Sequence, residues 1–339
     1  MSTTLAITGW GAVSPAGWGA AALADALASS SPCETSPLER KLGDSTVTTL
    51  VRRVPAGGTA PRVPRLRRAS PIAKFAAAAV AEALGPERIA LAASGKLRVG
   101  VVFTISNGCV NYSNRFFNEV LADPSLASPI LFPETVFNAP SSHLSAMLGG
   151  SAPNDTLISD DSGFFSGIDL AAEWIERGEV DGCLVVAAEE LDWLSAEAVT
   201  LYSRRMVPAE GAGAIYLAAA EGPVVLDSLP DPVSYQLRSR AEAAAELRRL
   251  LDVADDGATL FVDSRSGVDR FDRGETAAWA GWQGPRWSPR AVLGETMGAS
   301  AALQVVAAVE HLARGGCGRA VVATSGWNQQ AAGAAFRAS

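Results

Sequence analysis

The apolar and polar positions along the chain alternate between short β-branched runs and longer stretches of helical spacing. Leu5 to Thr8 form an apolar run that stops at GWGAVSPAGWG, where Gly9 and Gly11 permit a tight turn before a helix over Ala20–Ala28. Ser29 to Ala69 are rich in Ser, Pro, Thr and Arg with little periodicity and read mostly as loop, after which an alanine-rich helix is predicted over Pro71–Leu84. Arg98–Ile105 has the β-branched character of a buried strand, and Asn114–Leu121 has helical spacing. SPILFPETVFNAPSS then reads as an extended, proline-punctuated segment, closed by a helix over Ser142–Leu148.

From Thr156 the pattern is a compact α/β unit: strand (TLIS), sharp turn (DDSG), helix (Phe164–Arg177), a stop at Gly178 and a strand (CLVVAAEE). Much later ASAALQVVAAVEHLARGG and CGRAVVATSGW repeat the helix, glycine stop and strand. Laying Arg177-Gly178 on Arg314-Gly315 aligns LVVA with VVAT without a gap, so the fold is expected to consist of two related halves, 1–205 and 206–339.

Composition fits such a body. The 339 residues are 48% hydrophobic and 19% charged, enough to bury a core of two fused halves. A net charge of -8 argues against a nucleic-acid partner, because neutralising phosphates needs a basic face. Cys33, Cys109, Cys183 and Cys317 are far apart and form no CxxC pair, so no metal site or disulfide framework is expected and a reducing cytoplasm fits best. No run of 18 apolar residues and no export signal is present, so no membrane span is expected. Without a GxGxxG or GK[ST] motif, no nucleotide or other cofactor is indicated.

Four segments in order, ITGWGAVSPAG at the start, EGAGAIYL at 210–217, GETMGASAALQ at 294–304 and ATSGWNQQAAGAAF at 323–336, resemble landmarks of the β-ketoacyl synthases. The resemblance spans nearly the whole chain, which is shorter than usual for that family between Ser203 and Asp263. It implies an α/β, thiolase-like fold in which two related α/β halves form a five-layered αβαβα body. It also implies a dimer that works with an acyl carrier protein.

The resemblance puts a nucleophilic cysteine after the TLIS strand, where this chain has none and Ser162 takes the place. Of the family's two catalytic histidines, the first is replaced by Arg265 in FVDSRSG and the second by Glu295 in RAVLGETMGASA, with Arg290 in place of a lysine. His143 and His311 are the only histidines. His143 reads as packing or capping within a helix, and His311 suits the negative end of a helix. Arg265 facing Glu295 across a former catalytic pocket would form an ion pair; the sharper reading makes Ser162, Arg265 and Glu295 a new site with Glu295 as base.

Other residues gain meaning from the same resemblance. Ile130, Leu131 and Phe132 would line a neighbour's acyl tunnel or an interface, and Arg62, Arg65, Arg67 and Arg68 would dock an acidic carrier protein. Glu189 and Glu190, adjacent on a strand, point to opposite faces and make no joint metal site. Two functions follow as expectations. One is a condensation-incompetent, chain-length-factor-like partner of an active ketosynthase, paired with that homologue or with itself. The other is a repurposed acyltransferase or thioester hydrolase working through Ser162, Arg265 and Glu295.

Overall fold

The computed structural model describes residues 4–58, 61 and 64–339. The first strand, β1 (Ala6–Ser14), continues straight through the segment expected to turn. Its two glycines serve contact rather than turning: a Cβ on Gly9 would strike the carbonyl of Ala83, and one on Gly11 the carbonyl of Ala79. The helix carrying both carbonyls, α2 (Pro71–Ala93), therefore presses its backbone directly on the strand. Its Glu82 accepts the N–H groups of Ala12 at 3.0 Å and Ala20 at 2.9 Å. Gly11→Val is accordingly expected to destabilise the protein by about 1–3 kcal/mol, read as a lower denaturant midpoint at unchanged slope.

After β2 (Gly17–Trp18) and α1 (Ala20–Ser29), the stretch expected to be loop contains a hairpin, β3 (Ser36–Leu42) with β4 (Ser45–Val51), which forms its own two-stranded sheet. Most of its side chains are exposed, so no apolar alternation marked it. Arg40 lies 3.4 Å over the Trp193 ring and pairs with Glu197 at 2.5 Å, a contact distant in sequence.

The N-terminal half continues with β5 (Val99–Ile105), α3 (Val110–Ala122), α4 (Ala139–Met147), β6 (Asn154–Ile158), α5 (Gly163–Glu176), β7 (Gly182–Glu189), α6 (Trp193–Tyr202) and β8 (Gly211–Ala218). The C-terminal half runs β9 (Val224–Ser228), β10 (Val233–Ser234), α7 (Arg240–Leu251), β11 (Leu260–Val262), α8 (Asp269–Ala278), β12 (Arg286–Trp287), α9 (Pro289–Leu293), α10 (Ser300–Ala313), β13 (Arg319–Ser325) and β14 (Gln330–Ala338). SPILFPET is not extended: it coils into a 3-10 turn over Phe132–Glu134, with Leu131 N–H bonded to the Ser128 carbonyl at 3.1 Å.

The halves share one topology. Strand order is β1-β8-β7-β5-β6 in one and β9-β14-β13-β11-β12 in the other, with two antiparallel pairings followed by two parallel ones in each. β8, which follows residue 205, thus lies between β1 and β7. One constant offset lays Arg177 on Arg314, Gly163 on Ser300 and Gly182 on Arg319, so α5 and α10 are equivalent helices. β1 pairs with β9 through Ala6 and Ile7, joining the halves.

Burial sorts the elements into five layers. Phe164, Phe165 and Ile168 of α5 and Leu303, Val306 and Val309 of α10 share one core with inward residues of both sheets. Ile72, Ala76 and Val80 of α2 cover the outer face of the first sheet, and Leu247 and Leu251 of α7 cover that of the second. Both central helices start at the same end of the molecule, and the loops gathered there hold the candidate site. No helix among the described residues is long and apolar enough to cross a membrane.

Candidate functional site

α5 starts where β6 ends, in the turn Ser159–Gly163. Ser162 is the N-cap, fully buried, and its hydroxyl donates to Asp160 Oδ1 at 2.5 Å. The other Asp160 oxygen accepts the N–H groups of Asn328 at 3.1 Å and Gln329 at 3.2 Å, which ties the N-terminal half to the loop after β13. Ser162 is therefore turned toward Asp160 and not toward Glu295.

The next acid, Asp161, carries what the sequence reading missed. Its Oδ1 accepts the Trp327 N–H at 3.2 Å and its Oδ2 forms an ion pair with the guanidinium of Arg290. Arg290, on α9, also donates to the Ser264 carbonyl at 3.0 Å and brings Nε to 3.3 Å from Glu295 Oε2. The remaining Glu295 oxygen accepts the Met297 N–H at 2.8 Å and the Ser300 hydroxyl at 3.1 Å. Met297 adopts the left-handed conformation, φ 47°, unusual for a residue with a long side chain. Asp161, Arg290 and Glu295 are 1%, 7% and 2% exposed, so one guanidinium lies buried between two carboxylates, one from each half. The only hint in the sequence was a pair of adjacent acids before an apolar helix, of which at least one had to turn inward.

Arg265 does not take part. Its Nε donates to Asp263 at 2.6 Å and its Nη2 to Ser288 at 3.1 Å, so the expected pair with Glu295 is replaced by Arg265–Asp263 and Arg290–Glu295. The physical reason is that Asp263 is itself buried. Desolvation pushes its carboxyl up, and the neighbouring Arg265 charge opposes that rise.

Burial pushes the thiols of Cys33, Cys109, Cys183 and Cys317 up, away from the thiolate form. Neither histidine reaches the cluster. His143 meets Glu134 at 2.9 Å, and His311 packs on Trp287 with ring centroids 4.7 Å apart. His311 lies in the last turn of α10, as expected, where desolvation holds its imidazole below its usual value and Arg314 adds to the effect.

Asp161 also lines a cavity of about 300 Å³ with Asp160, Asn107, Met297, Tyr202 and Trp327. Tyr202 meets Trp327 edge-on, centroids 4.3 Å apart. On the far side of Arg290 the free space shrinks to about 10 Å³, too little for a substrate.

Glu189 and Glu190 are both buried and face different partners. Glu189 accepts the Ser106 N–H at 2.6 Å, while Glu190 accepts the Ser70 hydroxyl at 2.5 Å and the N–H groups of Ile72 and Asn111, both at 2.9 Å, bracing the starts of α2 and α3. Desolvation pushes Glu189 up to about 8, and it pushes Glu275 up to about 8 with Asp263 adding to the rise. Both stay protonated in the fold over a range where the unfolded chain has released those protons. The folded state then binds more protons between about pH 4.5 and 8, so stability falls as pH rises through that window. The melting temperature is expected to be lower at pH 9 than at pH 6, and Glu189→Gln to flatten that slope.

Away from this cluster, Arg65, Arg67, Arg68 and Arg115 line a groove of about 1090 Å³ together with Ile130 and Leu131. Two sets of residues singled out separately thus line one groove, together with Glu134 and His143. Phe132 faces outward and packs on Phe116, centroids 5.5 Å apart. Arg62 lies outside the described residues.

Known proteins bear on this arrangement. The ishigamide ketosynthase/chain length factor superposes with a TM-score of 0.82 at 20% identity, covering 99% of this chain and 99% of that one. The ketosynthase ApeO in complex with its chain length factor ApeC from Xenorhabdus doucetiae gives 0.82 at 15% identity, over 99% and 98%. AntDE:AntF, a type II PKS acyl-carrier protein in complex with its ketosynthase bound to the hexaketide, gives 0.78 at 18%, over 100% of both chains. At these identities the likeness establishes the fold. No curated protein sequence matches the chain. The sequence profile described as Beta-ketoacyl synthase, N-terminal domain, matches residues 2–227, so the chain belongs to the β-ketoacyl synthase family.

Proposed function

We propose that this chain is a non-condensing member of its family that acts as a chain-length-factor-like partner of an active ketosynthase in cytoplasmic polyketide-type biosynthesis. The observation that carries this reading is the buried Asp161–Arg290–Glu295 cluster. It joins Glu295, at the expected position of the family's second histidine, to Arg290 and to Asp161, the residue next to the expected nucleophile position at Ser162. A carboxylate held by an arginine is neither a nucleophile toward a thioester nor a donor to a forming enolate.

Surface chemistry supports partnership. β6 ends the sheet with no strand on its outer side among the described residues, and its Ile158 is 60% exposed. Phe117, Leu121 and Leu126 are exposed nearby in sequence on and after α3. An unpaired edge with apolar side chains is a template for a second chain. The arginine-lined groove suits the acidic surface of a carrier protein, and two of the similar structures are described as a ketosynthase with a chain length factor and one as a ketosynthase with its carrier protein.

The alternative, acyl transfer or thioester hydrolysis through Ser162, needs Arg265 and Glu295 to converge on that hydroxyl, and both are bonded elsewhere. Intact-protein mass spectrometry of the wild type and of Ser162→Ala, after incubation with acyl- and malonyl-loaded carrier proteins, separates the two. No adduct on either, together with a stable heterodimer with a ketosynthase, is the expected result. An adduct on the wild type that vanishes in Ser162→Ala would overturn it.

A further inference from the structure

The donors that meet at the Asp161 carboxylate come from parts of the chain that do not depend on it. One is the Trp327 N–H in the loop after β13, and another is the Arg290 guanidinium on α9. Arg290 is held in place by the Ser264 carbonyl at 3.0 Å and by Glu295, and Glu295 is fixed in turn by Met297 and Ser300. A buried guanidinium and a backbone N–H, brought in by α9 and by the loop after β13, form a carboxylate receptor.

We propose that this receptor is a monocarboxylate-binding site which the chain fills with its own side chain, and that acetate or formate binds there once Asp161 is truncated. Alanine removes a group equivalent in size to one formate or acetate carboxylate. Asp161 also lines the open cavity of about 300 Å³, which supplies the route from solvent. In the native protein Asp161 therefore decides what the pocket rejects. A substrate carboxylate placed there would become a third anion on one guanidinium, so malonyl-type groups are excluded by charge as well as by space. The inference holds whether or not the chain pairs with a ketosynthase, so its failure would leave the proposed function standing, and the reverse.

Thermal melts of full-length wild type, Asp161→Ala and Asp161→Asn in sodium chloride, acetate or formate at equal ionic strength test it. Asp161→Ala is expected to melt well below wild type in chloride and to regain roughly 5 °C in about 100 mM acetate or formate, with saturation in the millimolar range. Wild type and the isosteric Asp161→Asn, whose pockets stay filled, are expected not to respond. Equal shifts in all three proteins, or no response of Asp161→Ala, would overturn the site. If Asp161→Ala does not fold in chloride, recovery on refolding in acetate supports the site, and failure in both salts counts against it.

Discussion

Replacing Arg290 with alanine lowers the melting temperature by about 5 °C, the largest single-residue effect expected on stability. The substitution leaves Asp161 and Glu295 buried with no cation between them, and breaking a buried ion pair from one side costs about 3–5 kcal/mol. In a chain of 339 residues each kcal/mol moves the midpoint by about 1.4 °C. The origin of the loss is testable in the same protein. If uncompensated charge is responsible, adding Asp161→Asn and Glu295→Gln to Arg290→Ala recovers much of the midpoint, whereas lost packing would persist in the triple variant. Differential scanning calorimetry of the single and triple variants checks this.

If the chain pairs with a ketosynthase as proposed, Ile158→Asp on the outer edge of β6 weakens that pairing while leaving the subunit folded. Ile158 is exposed in the isolated chain, so its change shifts folding stability by no more than about 0.5 kcal/mol. Burying a carboxylate in place of an apolar side chain at the end of an edge-to-edge contact costs about 2 kcal/mol, so binding weakens about thirtyfold. Co-purification and sedimentation with the cognate ketosynthase measure the effect, and circular dichroism confirms the fold. A variant that still forms the heterodimer with unchanged affinity would place the partner on another face.

These two effects sit on opposite sides of what the sequence reveals. Periodicity marked the helices α1 to α5 and α10 and the strands β1, β5, β6, β7 and β13, because a buried strand or a helix face must repeat its apolar residues along the chain whatever lies opposite, but it assigned none of α6 to α9. The repeat of α5–β7 in α10–β13 was legible for the same reason, since equivalent elements bury equivalent faces. Hidden from the sequence were the elements held by distant partners: the β3–β4 hairpin, which leans on Trp193 and Glu197, and the turn at Phe132.

The chemistry divides in the same way. From the sequence alone it follows that no cysteine stands in the turn before α5 and that only two histidines exist in the chain, so the residue types expected at the family's catalytic positions are absent from them whatever the geometry. Which acid enters the pocket and which arginine meets it was decided by tertiary structure. Asp160, Asp161 and Ser162 are adjacent, and Arg265 and Arg290 are chemically alike, so composition gives no way to choose among them. The choice was made by where α9 and the loop after β13 come to rest against the start of α5. There Arg290 and the Trp327 N–H converge on Asp161, while the buried Asp263 keeps Arg265 for itself. Burying a charge is tolerated only beside its partner, and the backbone positions that bring partners together are a property of the packed halves, not of any local stretch of sequence.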